Sequence, residues 1–317
     1  TGDRHNWYDK VRGDDGTRMY VICPDATTSQ ATRTESTTAM VRSSQWPRHG
    51  FRVGTNGQTN SSGAVYTAFG LKAGGAPVSN TDGSITTQVS ASPESGFSII
   101  GYTGDQNTGS SIGHGLNQAP EMLIFKSLSE DRNWLIWHKD INAGAGDYWL
   151  VFSVAKRAQD TRTDRPLKDS GCVTNTTIIL GLDSEVNHNN EMICYAFHSV
   201  PGVVKVGRYD GNGSTTDGPF VECGFRPKFV IAKNYAGGSE TNWFVKDAEN
   251  AKFNPLSFTL YLNNSDARVN NFPIDFYSNG FKMKDDNALI NESGSDYIYI
   301  AFAEAPTNNL FGGRANA

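Results

Sequence analysis

The sequence predicts an all-β protein made of tandem β-sandwich-like repeats, and three observations carry that prediction. Short runs of β-branched and aromatic residues (EMLIFK, YWLVFSV, KFVIAK, YIYIAFA) recur between polar Gly/Asn/Asp turns. Glycine is abundant, at 33 of 317 residues, and no long amphipathic helical pattern interrupts the runs. One phrase, Asn-Trp ahead of a strand-like run, occurs three times, at Trp7, Trp134 and Trp243.

Taken in order, the phrase belongs to a larger pattern. Each Trp is followed at a similar interval by an Asn that precedes a closing strand: Asn60 before VYTAFGLKAGG, Asn187 before MICYAFHSVPG, and Asn291 before YIYIAFAEAP. A lead-in occurs twice. It runs from a Tyr-Gly loop to Pro, one residue, four apolar-rich positions and Lys, and ends at Lys126 and Lys233. The spacing from Tyr102 to Pro120 equals that from Tyr209 to Pro227. The unit is therefore ~105 residues long. Residues 1–84 read as a partial first repeat plus connector, 85–202 as the second repeat, and 203–317 as the third with a C-terminal tail. The three Trp are expected to be core anchors, and the three Asn to close turns. The first unit holds only the back half of the pattern. Half a unit leaves a sheet edge open, so upstream chain, a neighbouring subunit or the connector at 78–92 is expected to cover it.

Composition excludes several function classes. With a net charge of −5, pI 5.7 and no basic block, the chain has no electrostatic footprint for nucleic acid. No apolar run reaches the ~18 residues of a membrane helix, so no membrane insertion is expected. The start, TGDRHN, carries no signal-peptide pattern and reads as a mature product or a fragment. The four cysteines allow three pairings, and none forms a C-x-x-C.

No motif predicts catalysis or a cofactor. GSSIG at 109–113 matches G-x-S-x-G but lacks the strand-then-helix context that exposes such a serine. The six histidines show no zinc spacing. Carboxylates near the Trp strands (Asp9, Asp140, Asp247) show no pairing that sequence can establish. Two binding readings remain. Asp210, Asn212 and Ser214 offer alternating oxygens for a weak cation loop, although the twelfth position is Val221 rather than Glu. Trp137, Tyr148 and Trp149 lie outside the repeated Trp position. They are candidates for ligand binding, Trp137 by facing solvent opposite Trp134 and stacking on a sugar. Trp46 and the charged insert at 155–171 add variable surface.

The stretches GFSIIGYTGDQNTGSSIGHGLNQAPEMLIFK, NWLIWHK, GRYDGNGSTTDGPFVECGFRPKFVIAK, FYSNGFKMK and YIYIAFAEAP resemble an uncharacterised tandem repeat of tail and fibre-like virion proteins of marine bacteriophages. The resemblance covers nearly the whole chain and is weakest at 13–49 and 155–171. It implies a non-enzymatic virion protein located extracellularly, either a tail fibre or appendage that contacts host-surface polysaccharide. The alternatives are a purely structural head decoration or tail connector, or a polysaccharide depolymerase. It also implies other virion proteins as partners and a homo-oligomer, with a trimer expected. It supplies no catalytic residue.

Overall fold

The computed structural model describes residues 5–9, 11–12, 18–29, 31–34, 51, 53–152, 165–168, 171–237, 241–251, 253–304, 307–308 and 314–315. Statements of absence below refer to these residues. Trp46 and most of the insert at 155–171 lie outside them.

The chain is all-β, as the turn-bounded apolar runs predict. Near the N-terminus β1 (Arg18–Val21) and β2 (Ala31–Thr34) form a hairpin. Next come β3 (Val78–Asn80), β4 (Thr87–Ser92), β5 (Phe97–Thr103), β6 (Ser111–Gly113), β7 (Met122–Ser127) and β8 (Leu135–His138). They are followed by β9 (Leu150–Val151), β10 (Thr177–Ile179) and β11 (Glu191–Phe197). The remainder begins with β12 (Val204–Asp210), β13 (Phe220–Glu222), β14 (Pro227–Ala236), β15 (Phe244–Asp247) and β16 (Leu256–Tyr261). It continues with β17 (Val269–Tyr277), β18 (Gly280–Met283) and β19 (Asp296–Ala303), then the short pair β20 (Thr307–Asn308) and β21 (Arg314–Ala315).

A seven-stranded sheet is ordered β3-β4-β5-β11-β7-β8-β9, and an eight-stranded one β12-β19-β14-β15-β16-β17-β18-β13. The runs β5-β11-β7-β8-β9 and β12-β19-β14-β15-β16 follow the same plan. In each, the closing strand inserts between the first and second strands and pairs antiparallel with both.

Strand alternation then sorts the side chains into layers. Trp134 and Ile136, with Trp243 and Val245, point into a central cluster. It also takes Ile99 and Ile193 from one sheet and Val206 and Ile300 from the other. The two large sheets thus pack face to face, and this core draws on both sides of residue 202. Leu135 and Trp137 point the other way, into a cluster closed by Ile112 of β6 and Ile178 of β10. Phe244 points into a third cluster, closed by Phe276 of β17 and Phe281 of β18.

The three repeated tryptophans meet in or against the central cluster. Trp7 lies edge-on to Trp134 at 5.2 Å and to Phe152 at 5.9 Å, and Phe152 stacks on Trp243 at 5.0 Å. Trp7 is held by a two-way backbone bridge to Ile22, and Trp134 Nε1 donates to the carbonyls of Cys23 and Ala26. Asp9 accepts from Tyr195 Oη at 2.7 Å and pairs with Arg12 at 2.5 Å. The Trp end of the first unit is therefore covered by the seven-stranded sheet.

Its closing end differs from expectation. VYTAFGLKAGG forms no strand, and Val65, Tyr66, Phe69 and Leu71 are 85%, 42%, 41% and 40% exposed. Strands β11 and β19 each lie between two partner strands, whereas this run has no strand on either side, so its backbone is not drawn into a sheet.

The repeated strand-ending lysines serve the fold. Lys126 Nζ, buried, donates to the carbonyls of Thr27 and Arg132 at 3.1 Å, and buried Lys233 Nζ donates to the Thr241 carbonyl. Lys126, near the end of β7, and Lys233, within β14, each tie their strand to the turn that leads into the Trp strand. A buried cation is tolerable there because carbonyl oxygens solvate it.

Candidate functional site

The residues predicted to bind ligand are not at the surface. Trp137 and Trp149 are only 4% and 1% exposed, both within the cluster under β6 and β10, and Tyr148 is half-buried against the central core. Trp137 does face away from Trp134, but that face of β8 is covered by a second layer rather than by water. Neither indole offers a face for a sugar. One edge of Trp137, whose Nε1 donates to Ala145 O at 3.3 Å, borders a cleft of about 360 Å³ with Glu121, Lys139 and Asn175. Three polar side chains of that cleft are engaged in the fold. Glu121 accepts from Ser199 N at 2.6 Å, Lys139 pairs with Asp140 at 2.9 Å, and Asn175 Oδ1 accepts from Ala119 N at 3.2 Å.

The predicted cation loop is a braced hairpin tip. Asp210 pairs with Arg208 at 2.7 Å. Asn212 Oδ1 accepts from Ser214 N and Asn291 Nδ2, and Ser214 Oγ accepts from Asp217 N. The three oxygens turn toward N–H and guanidinium donors, so they do not converge on an ion. No cluster of three metal-ligating side chains occurs among the described residues. Ser111 lies in β6, its Oγ accepting from Ser84 N at 3.0 Å, with no helix after it. None of the four cysteines forms a disulfide.

The repeated Asn has a definite task in two of its three places. Asn187, fully buried, accepts from Asp105 N at 3.0 Å and donates to Asn107 O at 3.0 Å and Gly181 O at 2.9 Å. Asn291, also fully buried, accepts from Asn212 N at 2.8 Å and donates to Asn212 Oδ1 and Ser214 O, both at 3.1 Å. In both cases an amide before the closing strand grips the loop that follows the first strand. Just ahead of each, a first-strand tyrosine locks the same turn: Tyr102 Oη donates to Val186 O at 2.6 Å, and Tyr209 Oη to Ile290 O at 2.9 Å. Asn60 instead is exposed at the end of a four-residue helix, Gly57–Asn60, and donates to Gly54 O at 2.6 Å.

An exposed aromatic face lies elsewhere, on the outer layer of the third unit. Phe220, on edge strand β13, is 45% exposed, and Tyr277, ending β17, is 40% exposed. Their rings meet edge to face at 5.9 Å and 72°. Gly280 sits beneath Phe220, where an added Cβ would come within 3.0 Å of the ring and 2.1 Å of Val221 O. The glycine lets the ring lie flat on the sheet. Asn254 accepts from Phe276 N and donates to Phe276 O, both at 2.9 Å, which anchors the neighbouring Phe253, 84% exposed, at the same end of β17. Around the rings, Lys282 pairs with Asp217 at 2.5 Å and Tyr277 Oη donates to Asp275 at 3.2 Å. The Asp217–Lys282 contact lowers the carboxyl pKa and raises that of the ammonium. Aromatic faces beside polar and charged groups suit the apolar face of a sugar, with hydroxyls reaching those groups. None of the three aromatics stands out in the sequence. Which strand face remains uncovered depends on which strands fold back over the sheet.

The family described as a domain of unknown function, DUF7483, matches residues 1–306, and the chain belongs to that family. No curated protein matches the chain, and no solved structure does.

Proposed function

We propose that this chain is a non-enzymatic virion protein of the tail-fibre or appendage type, with the Phe220–Tyr277 face as its contact with host-surface glycan. The virion reading is supported by the sequence resemblance across nearly the whole chain, and the tandem all-β plan fits it. The glycan reading is carried by one observation: the edge-to-face aromatic pair stands open on the sheet beside the Asp217–Lys282 ion pair. A fibre or appendage acts outside the cell on the particle, as a homo-oligomer, with a trimer expected. Light scattering that returns a monomer counts against that assembly.

The test is retention of the purified chain on surface polysaccharide extracted from host bacteria. Wild type is expected to be retained without releasing reducing ends. The double substitution Phe220→Ala, Tyr277→Ala is expected to weaken retention at least tenfold, with an unchanged melting temperature. Release of reducing ends would establish a depolymerase instead. Immunogold labelling of particles locates the protein, and label on the head or tail shaft would overturn the appendage reading. A purely structural role in the particle is the second reading, and the exposed apolar run at 65–71 favours it, because such a surface suits assembly.

A further inference from the structure

The segment from Asn60 to Phe69 repeats, one unit earlier, what Asn187 to Phe197 and Asn291 to Phe302 do. Each has an Asn, a short polar turn, and an apolar run ending Ala-Phe. In the two later copies the run is an interior strand. Phe197 lies opposite Phe97 on one side and Met122 on the other, and Phe302 opposite Val204 and Phe229. Ile193, Cys194 and Ala196 are fully buried as a result. In the first copy the same kind of run has neither neighbour, and its apolar side chains meet solvent.

The run is nevertheless held in place. Phe69 packs at a tilt on Phe229 at 4.4 Å and 35°, Phe229 stacks on Phe302 at 4.4 Å, and Asn250 Nδ2 donates to Thr67 Oγ1 at 3.1 Å. One end is therefore organised before any partner arrives, which lowers the entropy lost on pairing. Asn60 is the third copy of the amide that grips an incoming loop, and here it has no such loop to grip.

We propose that residues 64–71 are a vacant closing strand, a docking surface for a polypeptide that carries the front half of this same repeat. That partner is defined by its chemistry. It has a first strand bearing the loop-locking tyrosine, a Gly-rich loop, and a second strand of the form Pro, one residue, four apolar-rich positions and Lys. It adds one antiparallel strand on each side of the run. Its loop backbone offers an N–H to Asn60 Oδ1 and a carbonyl to Asn60 Nδ2, as Asn212 N and Ser214 O do for Asn291. The two complete copies within the chain are the template for this geometry, and the proposal does not depend on the virion reading.

The probe is a synthetic peptide of residues 203–234, added to the full chain, with binding read by fluorescence anisotropy and amide exchange read at 65–69. Saturable one-to-one binding is expected, with exchange at 65–69 slowed at least a hundredfold. Asn60→Ala is expected to weaken binding at least tenfold while leaving the melting temperature unchanged. Asn60→Ala without effect on binding would mean the peptide enters another sheet, and would overturn the proposal. Slow exchange at 65–69 in the free chain would also overturn it. So would protection that rises with protein concentration alone, which would assign the surface to a second copy. A second arm joins residues 203–234 through a flexible linker ahead of residue 1. Unchanged exchange at 65–69 in that fusion refutes the proposal whatever the solubility of the free peptide.

Discussion

Replacing Asn291 by alanine should destabilise the protein by about 2–3 kcal/mol. The figure follows from three side-chain hydrogen bonds at 2.8–3.1 Å, made by a residue with no exposed surface. Each such bond is worth about 1 kcal/mol net. Asn187→Ala removes three bonds of the same kind and should cost the same. Asn60→Ala removes one bond at an exposed site and should cost less than about 0.5 kcal/mol. Asn291→Asp keeps the acceptor for Asn212 N but turns a carboxylate oxygen toward Asn212 Oδ1 and Ser214 O. It should therefore be at least as harmful as alanine at neutral pH. Urea unfolding of the four variants, with slopes compared to confirm that only the midpoints move, gives the numbers. Equal costs for Asn291→Ala and Asn60→Ala would refute the assignment of these amides as loop clamps.

Three further outcomes are expected. Burial pushes the His138 imidazole down to about 3 from its ordinary 6.5, so the unfolded chain binds the extra proton between those values. Stability should then fall as pH drops from 6.5 toward 3, and His138→Gln should flatten that limb of a denaturation-midpoint profile. Burial also lowers the Lys246 ammonium to about 7 from 10.5, despite its contacts with the Leu256, Ser257 and Asn271 carbonyls. Stability should rise between pH 7 and 10.5, and Lys246→Met should remove part of that rise in the same assay. Trp7→Ala opens the aromatic junction with Trp134, Phe152 and Tyr195. It should cost about 3 kcal/mol in urea unfolding and diminish the near-ultraviolet dichroism of the cluster.

The residues themselves determined the fold class. Turn-bounded apolar runs are a local signal, and strands such as EMICYAF and DYIYIAFA form where that signal is strongest. The recurrence of Trp, Asn and strand-ending Lys was equally legible, because a duplicated structural task leaves duplicated residues. What those residues do was not legible. That Asn291 grips a loop some eighty positions earlier, or that Lys126 is caged by the carbonyls of Thr27, Glu130 and Arg132, depends on contacts between distant stretches. The largest misreading was Trp137. Alternation placed it opposite Trp134 correctly, but only the fold shows that both faces of β8 are covered, one by the other large sheet and one by β6 and β10. The same physics hid Phe220 and Tyr277. A strand's period tells which residues share a face, and tertiary packing alone decides whether that face meets protein or water.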